Sequence, residues 1–312
     1  MTTSRVALLP ADAPWLRQTG SGDWLADAVR AGGGQIVPPD EAEGLVWADP
    51  AAADELAEVI ARHPHLRWVQ LPFAGVESVR HLLDHDRVWT CAKGIYGPTT
   101  AEHALALTLA GLRDLRTYLR EDSWTEDRGR NLYGASVTIL GGGGIARALV
   151  DLLEPFGCAV TIVRRSFDPL PGADRTVTAD ALDDALGTAD VVVLALPLTD
   201  ETTGIIDTRA LTAMQSHAWL VNVARGGHVV TADLVAALRA GTIGGAALDV
   251  TDPEPLPKGH PLWELDNCII TPHVANTHEM LQPRLVELVT ENVRRFAAGE
   301  PLLGVVDPDR GY

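Results

Sequence analysis

Short apolar runs separated by amphipathic stretches set the rhythm of this chain. Runs of strand length stand at 6–9, 45–48, 66–71, 88–92, 137–140, 160–163, 191–196, 219–223, 246–250 and 268–271. Most are continuous rather than alternating, the pattern of strands buried on both faces of a parallel sheet. Apolar positions recur at helical spacing over 101–115, 146–156, 179–187, 231–241 and 284–298. The segment 231–241 opens on Thr231, expected as an N-cap, and closes on Gly241. Strand and helix alternating in this way predict a doubly wound α/β protein. Pro98 followed by Thr99, Thr100, Ala101 and Glu102 has capping-box spacing, which predicts the start of a long helix and a domain boundary beside it. Beyond Pro272 the pattern holds a helix and no further strand. The tail is therefore expected to pack back on the first domain, giving a discontinuous domain of 1–98 with 276–312 and a continuous one of 99–275.

Composition narrows the function classes. With 312 residues, 46% hydrophobic and 21% charged, the chain can build two ordinary globular cores. Its net charge of −17, from 42 acidic against 25 basic residues, disfavours nucleic acid and anionic membranes as partners. Cys91, Cys158 and Cys268 are odd in number and widely spaced, so neither a disulfide framework nor a metal site is expected, and a reducing cytoplasm is. The opening MTTSRVALLP lacks signal-peptide shape, and no apolar run approaches the roughly 20 residues of a membrane span.

The first chemical motif is VTILGGGGIARAL at 137–149. A dinucleotide turn needs one glycine to end the strand, a second to let the backbone approach the pyrophosphate, and a small third residue to keep helix and strand close. Counting from Gly141 puts Gly143 and Ala146 in these places, whereas counting from Gly142 would force Arg147 into the helix–strand contact. The first register is the one expected. It leaves Gly142 and Gly144 as conformational fillers, with the helix starting near Ile145 and the N–H groups of Gly144, Ile145 and Ala146 turned to the pyrophosphate. At the end of the next apolar run, where an NAD site places a carboxylate for the ribose 2′-OH, the chain has Arg164, Arg165 and Ser166. Guanidinium groups suit a 2′-phosphate, so NADP(H) is expected in preference to NAD(H). The plainer alternative is a pair of solvated arginines, one of them paired with Asp168.

Three later runs end on residues with complementary chemistry. WLVNVARGG ends with Arg225, AALDVTDPEP carries Asp249 and Glu254, and CIITPHVAN carries His273. Ligand-facing residues of open α/β sheets belong at such strand ends. An Arg can grip a carboxylate, and a His beside a Glu can exchange a proton, which is what keto-acid reduction next to a nicotinamide requires. Singly, each has a duller reading as a loop, turn or buried donor; together they form a coherent set. Glu102 is accounted for by the capping box and His103 by helix packing. The other histidines show no ligand spacing, and the eight Trp read as core or interface.

With these residues in view, the chain resembles the D-isomer-specific 2-hydroxyacid dehydrogenases from about residue 66 to about 275. The resemblance is carried by Phe73-Ala-Gly-Val76, Ala101-Glu-His103, the glycine turn, Leu196-Pro-Leu-Thr199, Asn222-Val-Ala-Arg-Gly-Gly227, Asp249-Val250, Glu254-Pro-Leu256 and Thr271-Pro-His273. It implies a Rossmann-type parallel sheet plus a smaller flavodoxin-like α/β substrate domain, and a homodimer. It implies that Arg225 orients substrate, that Glu254 pairs with His273, and that His273 is the acid/base. It further implies that Asp249 holds the nicotinamide carboxamide and that Leu196, Pro197, Thr203, Val223 and Ala224 contribute to the cofactor site. The loop of Phe73, Ala74, Gly75 and Val76 would bind the substrate carboxylate through its backbone. Ala146 as the third turn position, Glu77 for a common Asp and Asn276 for a common Gly depart from the family pattern. The arginine pair resembles the NADP-using branch that reduces glyoxylate and hydroxypyruvate to D-2-hydroxy acids. An NAD(P)H-sensing binding protein of the corepressor type is the alternative, since those proteins keep the same Arg/Glu/His set.

Overall fold

In a computed structural model, residues 3–10, 13, 23–49 and 51–312 are described; Trp15 lies outside them, as do Met1 and Thr2 of the opening segment. In chain order the elements are β1 (Arg5–Leu9), α1 (Trp24–Ala31), β2 (Gln35–Ile36), β3 (Gly44–Trp47), α2 (Ala53–Arg62), β4 (Trp68–Gln70) and β5 (Val88–Thr90). They continue with α3 (Gly97–Leu112), α4 (Leu115–Tyr118), β6 (Ser136–Leu140), α5 (Gly144–Leu153), β7 (Ala159–Val163), β8 (Arg175–Val177), α6 (Leu182–Gly187) and β9 (Val191–Leu194). The last are α7 (Thr208–Ala213), β10 (Trp219–Asn222), α8 (Thr231–Ala240), β11 (Gly245–Leu248), β12 (Cys268–Ile270) and α9 (His278–Ala298). The chain divides into two compact units, Met1–Tyr96 with Asn276–Tyr312, and Gly97–Ala275.

The first unit is a parallel sheet in the order β2-β1-β3-β4-β5, the strand order of flavodoxin-like folds. Its interior strands are apolar on both faces, so helices cover both sides. The C-terminal helix α9 belongs to this unit because α1 ends on Gly32, whose missing Cβ would lie 2.4 Å from the Thr290 carbonyl oxygen. The Thr290 hydroxyl in turn donates to the Ala28 carbonyl, 3.1 Å away. The chain after α9 adds one antiparallel bridge, Thr90 to Val305, so the tail contributes edge pairing that its sequence pattern did not suggest.

The second unit is a parallel sheet in the order β12-β11-β10-β9-β6-β7-β8. Every residue of β9 and β10 is buried, as continuous Val/Leu runs require. The chain leaves β6 through α5 toward β7 on one side, while β9 lies on the other, which makes the end of β6 the topological switch point. Trp219 sits at the start of β10 only because Gly111 and Gly245 face it; a Cβ on either would come within 2.6 Å of the indole ring.

Each run read as a strand forms one, and β2 and β8, two and three residues long, are additions. Three helix starts differ from expectation, the first being that of α9, which begins at His278 rather than at 284 and carries Pro283 within it. Helix α3 begins at Gly97, so Thr99 lies in its first turn and Glu102 is an exposed helical residue rather than half of a capping box. Pro98 explains the shift, because its missing N–H costs nothing in the first turn. Thr231 is the first residue of α8, not its cap, and its hydroxyl donates instead to the Asp252 carbonyl at 2.7 Å. Gly241 closes that helix at φ +65° as expected. Helices α1, α2 and α7 went unread, although Leu56, Val59 and Ile60 carry helical spacing and Asp207 caps α7 by accepting from Ala210 N–H at 2.9 Å. Among the described residues no helix is long and apolar enough to cross a membrane.

Candidate active site

All the candidate residues of the second unit follow the C-terminal ends of its strands. The glycine turn follows β6, Arg164 follows β7, Leu196 and Pro197 follow β9, Arg225 follows β10, Asp249 follows β11 and His273 follows β12. Parallel strands therefore deliver these residues to one edge of one sheet.

At the switch point the four glycines separate by role. Gly141 takes φ +118°, and a Cβ there would stand 2.2 Å from the Ala195 carbonyl oxygen at the end of β9. No other residue type fits. A Cβ on Gly143 would meet nothing within 4 Å, so the backbone is open on that side. Gly144 begins α5 and passes Gly97 so closely that a Cβ on Gly97 would lie 2.7 Å from the Gly144 carbonyl. Ile145 follows in the first turn, and Ala146 is fully buried against the sheet. Gly142 is not a filler: a Cβ there would stand 3.0 Å from Cδ and Nε of Arg164. The turn and the arginine corner are thus one packed unit. Arg164 is half-buried and Arg165 exposed. Asp168 accepts from the Ser166 hydroxyl at 2.9 Å.

Arg225 lies in an extended conformation just after β10, with its Nη1 donating to the Ala224 carbonyl at 2.7 Å. Asn222, fully buried, braces the turn by donating to the Arg225 carbonyl at 2.9 Å and accepting from Ala224 N–H at 3.0 Å. Val223 and Ala224 are buried beneath it. The glycine after the arginine is obligatory, since a Cβ on Gly226 would lie 2.0 Å from the Thr251 carbonyl group. That contact sets the arginine turn against the segment leading to Glu254. Thr231 and Thr251 fasten the same segment, donating to the carbonyls of Asp252 and Pro253 at 2.7 and 2.9 Å. His228 was passed over in the sequence. It is fully buried, with Nδ1 3.0 Å from the Thr202 carbonyl and Nε2 3.2 Å from the Leu196 carbonyl. It ties the Leu196–Thr203 loop to the arginine turn. Within that loop the Thr203 hydroxyl donates to the Thr199 carbonyl at 2.8 Å.

His273 and Glu254 meet directly, Nδ1 to Oε1, at 2.6 Å, with both side chains about half exposed. The Nδ1–H donation fixes the ring and leaves Nε2 as the nitrogen available for proton exchange. His273 adopts φ +53°, the left-handed region that a Cβ-bearing residue rarely occupies. Asp249 is buried beneath it. Burial pushes its carboxyl up, but hydrogen bonds from His103, Thr271, Val274 N–H and Ala275 N–H outweigh this and bring it down to about 2. His103, read from the sequence as helix packing, therefore belongs to the site's support; its place in Ala101-Glu-His103 was the available signal. Burial pushes the Cys91 and Cys268 thiols up to about 11 and about 12.

In the first unit, Phe73–Val76 follows β4. Its carbonyls are tied inward, Phe73 to Ala92 N–H at 3.0 Å and Ala74 to the Cys91 thiol at 3.5 Å, and Val76 is buried.

Comparison with known proteins agrees with this geometry. Residues 103–275 match the family model of the D-isomer specific 2-hydroxyacid dehydrogenase NAD binding domain. The chain is 30% identical to the glyoxylate/hydroxypyruvate reductase A of Escherichia fergusonii over 86% of its own length and 81% of that protein. It is 34% identical to the D-3-phosphoglycerate dehydrogenase of Mycobacterium tuberculosis over 83% of its own length, and that match spans half of the relative. The crystal structure of a D-isomer specific 2-hydroxyacid dehydrogenase from Xanthobacter autotrophicus Py2, in complex with NADPH and MES, superposes with a TM-score of 0.81 at 31% identity over 100% of both chains. Family model, relatives and fold converge: this chain belongs to the D-isomer specific 2-hydroxyacid dehydrogenase family, oxidoreductases with a Rossmann-type nucleotide-binding domain.

Proposed function

We propose that this chain reduces a small 2-keto acid of the glyoxylate or hydroxypyruvate kind to the D-2-hydroxy acid, with NADPH preferred over NADH. The observation that carries the reading is the 2.6 Å contact of His273 Nδ1 with Glu254 Oε1, at the same strand-end edge as Arg225. With Nδ1–H held by Glu254, Nε2 is the nitrogen placed to hand a proton to the carbonyl oxygen. Arg225 grips the substrate carboxylate through its guanidinium fork and turns the keto carbon into place. The Phe73–Val76 loop, with its carbonyls already engaged, is assigned as a further carboxylate ligand through its N–H groups. When bound, the reduced nicotinamide supplies the hydride that the keto carbon receives.

The open backbone at Gly143, the start of α5 and the Arg164–Ser166 corner fit a phosphorylated dinucleotide. Leu196, Pro197, Thr203, Val223 and Ala224 complete the assigned cofactor wall, and Arg164 and Arg165 the assigned 2′-phosphate site. A homodimer is part of the proposal. Leu119, Trp124 and Tyr133 are exposed by 83%, 104% and 72% within one segment of the second unit, an apolar surface a second copy would cover. The test is steady-state NADPH and NADH oxidation with glyoxylate, hydroxypyruvate, pyruvate and phenylpyruvate. Turnover with NADPH on at least one of them is expected. No turnover on any, or a His273→Ala variant at full rate, overturns the reading.

A further inference from the structure

The hydrogen bonds gathered on Asp249 exceed what a cofactor contact requires. Its side chain is 1% exposed. Oδ1 accepts from the Thr271 hydroxyl at 2.6 Å and from Val274 N–H at 2.9 Å, and Oδ2 accepts from Ala275 N–H at 2.9 Å. The Asp249 carbonyl also accepts from His273 N–H, at 2.8 Å. One residue thus holds the N–H groups of 273, 274 and 275 in succession, together with the side chain of 271. At the centre of that grip is the left-handed turn of His273, a strained conformation that persists only where its surroundings over-determine it.

The remaining partner comes from another element. His103, on α3, stands with Nε2 at 3.1 Å from the Thr271 hydroxyl oxygen and 3.3 Å from Asp249 Oδ1. The Thr271 proton is already directed to Asp249, so its oxygen is an acceptor toward His103. A single Nε2–H shared between the two oxygens satisfies both. A buried carboxylate deprived of a donor relaxes toward other donors or water, and here such movement would be passed directly to the backbone on either side of His273.

We propose that His103 is a positioning residue for proton transfer: through Asp249 and Thr271 it holds the 271–275 segment in the left-handed turn that sets the His273 ring against Glu254. It acts through Asp249 rather than on the substrate. The inference rests on the reading of His273 as the acid/base.

The test compares His103→Leu, which removes the donor, with His103→Gln, which returns an N–H near the Nε2 position. Amide hydrogen exchange is followed alongside kinetics in the full chain. His103→Leu is expected to lose roughly tenfold or more in kcat, with KM for NADPH held within about twofold. Exchange at 273–275 should accelerate while the rest of the sheet stays protected, and His103→Gln should recover most of both. Unchanged kcat and exchange in His103→Leu overturns the proposal. A loss accompanied by faster exchange throughout the unit, or one that His103→Gln does not recover, assigns His103 to packing and overturns it equally. If the wild-type chain turns over none of the keto acids, the reductase reading fails on its own. The exchange comparison then still decides whether the turn depends on His103.

Discussion

The edge formed by β10, β11 and β12 and the pair β6–β7 lie in one sheet but hold their residues differently. At the first, Asp249 is buried under bonds from Thr271, Val274 and Ala275, Asn222 clamps the arginine turn from both sides, and Glu254 fixes one nitrogen of His273. At the second, the Gly143 backbone is open, Arg165 is exposed, and Ser166 turns to its neighbour Asp168. Proton transfer demands atoms placed to within a fraction of an ångström before the substrate arrives. A phosphate is recognised by charge and by a guanidinium fork that orders as the ligand binds. The first edge is built in advance, and the second leaves part of its order to the nucleotide.

Removing the acid/base should break the first edge most severely. His273→Ala is expected to lower kcat roughly a thousandfold with little change in KM for NADPH, and Glu254→Gln roughly tenfold to a hundredfold. A His273→Ala variant whose loss appears in KM alone would show that the edge binds rather than reacts. Next comes Gly226→Ala. Its Cβ would lie 2.0 Å from backbone atoms of Thr251, so the segment carrying Glu254 must move. Stability should fall by about 2 kcal/mol, read from a denaturant midpoint, and kcat should fall toward the Glu254→Gln level. Unaltered kcat and midpoint would mean that the arginine turn and the glutamate segment are not set against each other.

This contrast also governs what the amino-acid pattern could reveal. Continuous runs such as Val191–Leu194 announce buried parallel strands because burial on both faces leaves no polar alternation to confuse them. The strand-end residues Arg225, Glu254 and His273 stand out because their chemistry is complementary. Supporting residues carry no such mark. His228 and His103 are ordinary side chains whose meaning comes from carbonyls and carboxylates tens to well over a hundred positions away in the chain. Thr231 looks like a cap at any helix start, and only the fold reveals that its hydroxyl fastens the Asp252 carbonyl. Gly142 looks spare until Arg164 packs upon it.

The nucleotide edge should respond more gently. Arg164→Ala is expected to lower the ratio of kcat/KM for NADPH to that for NADH roughly tenfold, by loss of a charge-assisted contact to the 2′-phosphate. The NADH value itself should stay level. A ratio that is unaltered, or below one in the wild-type chain, removes the 2′-phosphate site from this corner.

Gly142→Ala makes the finest distinction between the two edges. The added Cβ would meet Cδ and Nε of Arg164 at 3.0 Å, the flexible part of a side chain rather than backbone. Gly142 also lacks the positive φ that makes Gly141 irreplaceable. The arginine can therefore move aside by a few tenths of an ångström, and the fold should tolerate the change. The cost should fall on the cofactor bearing the extra phosphate, with KM for NADPH rising about twofold to fivefold while kcat and KM for NADH stay level. Equal losses with both cofactors would mean that Gly142 serves the pyrophosphate turn common to them. A fall in kcat would mean that the nucleotide edge is as rigidly prearranged as the edge that carries His273.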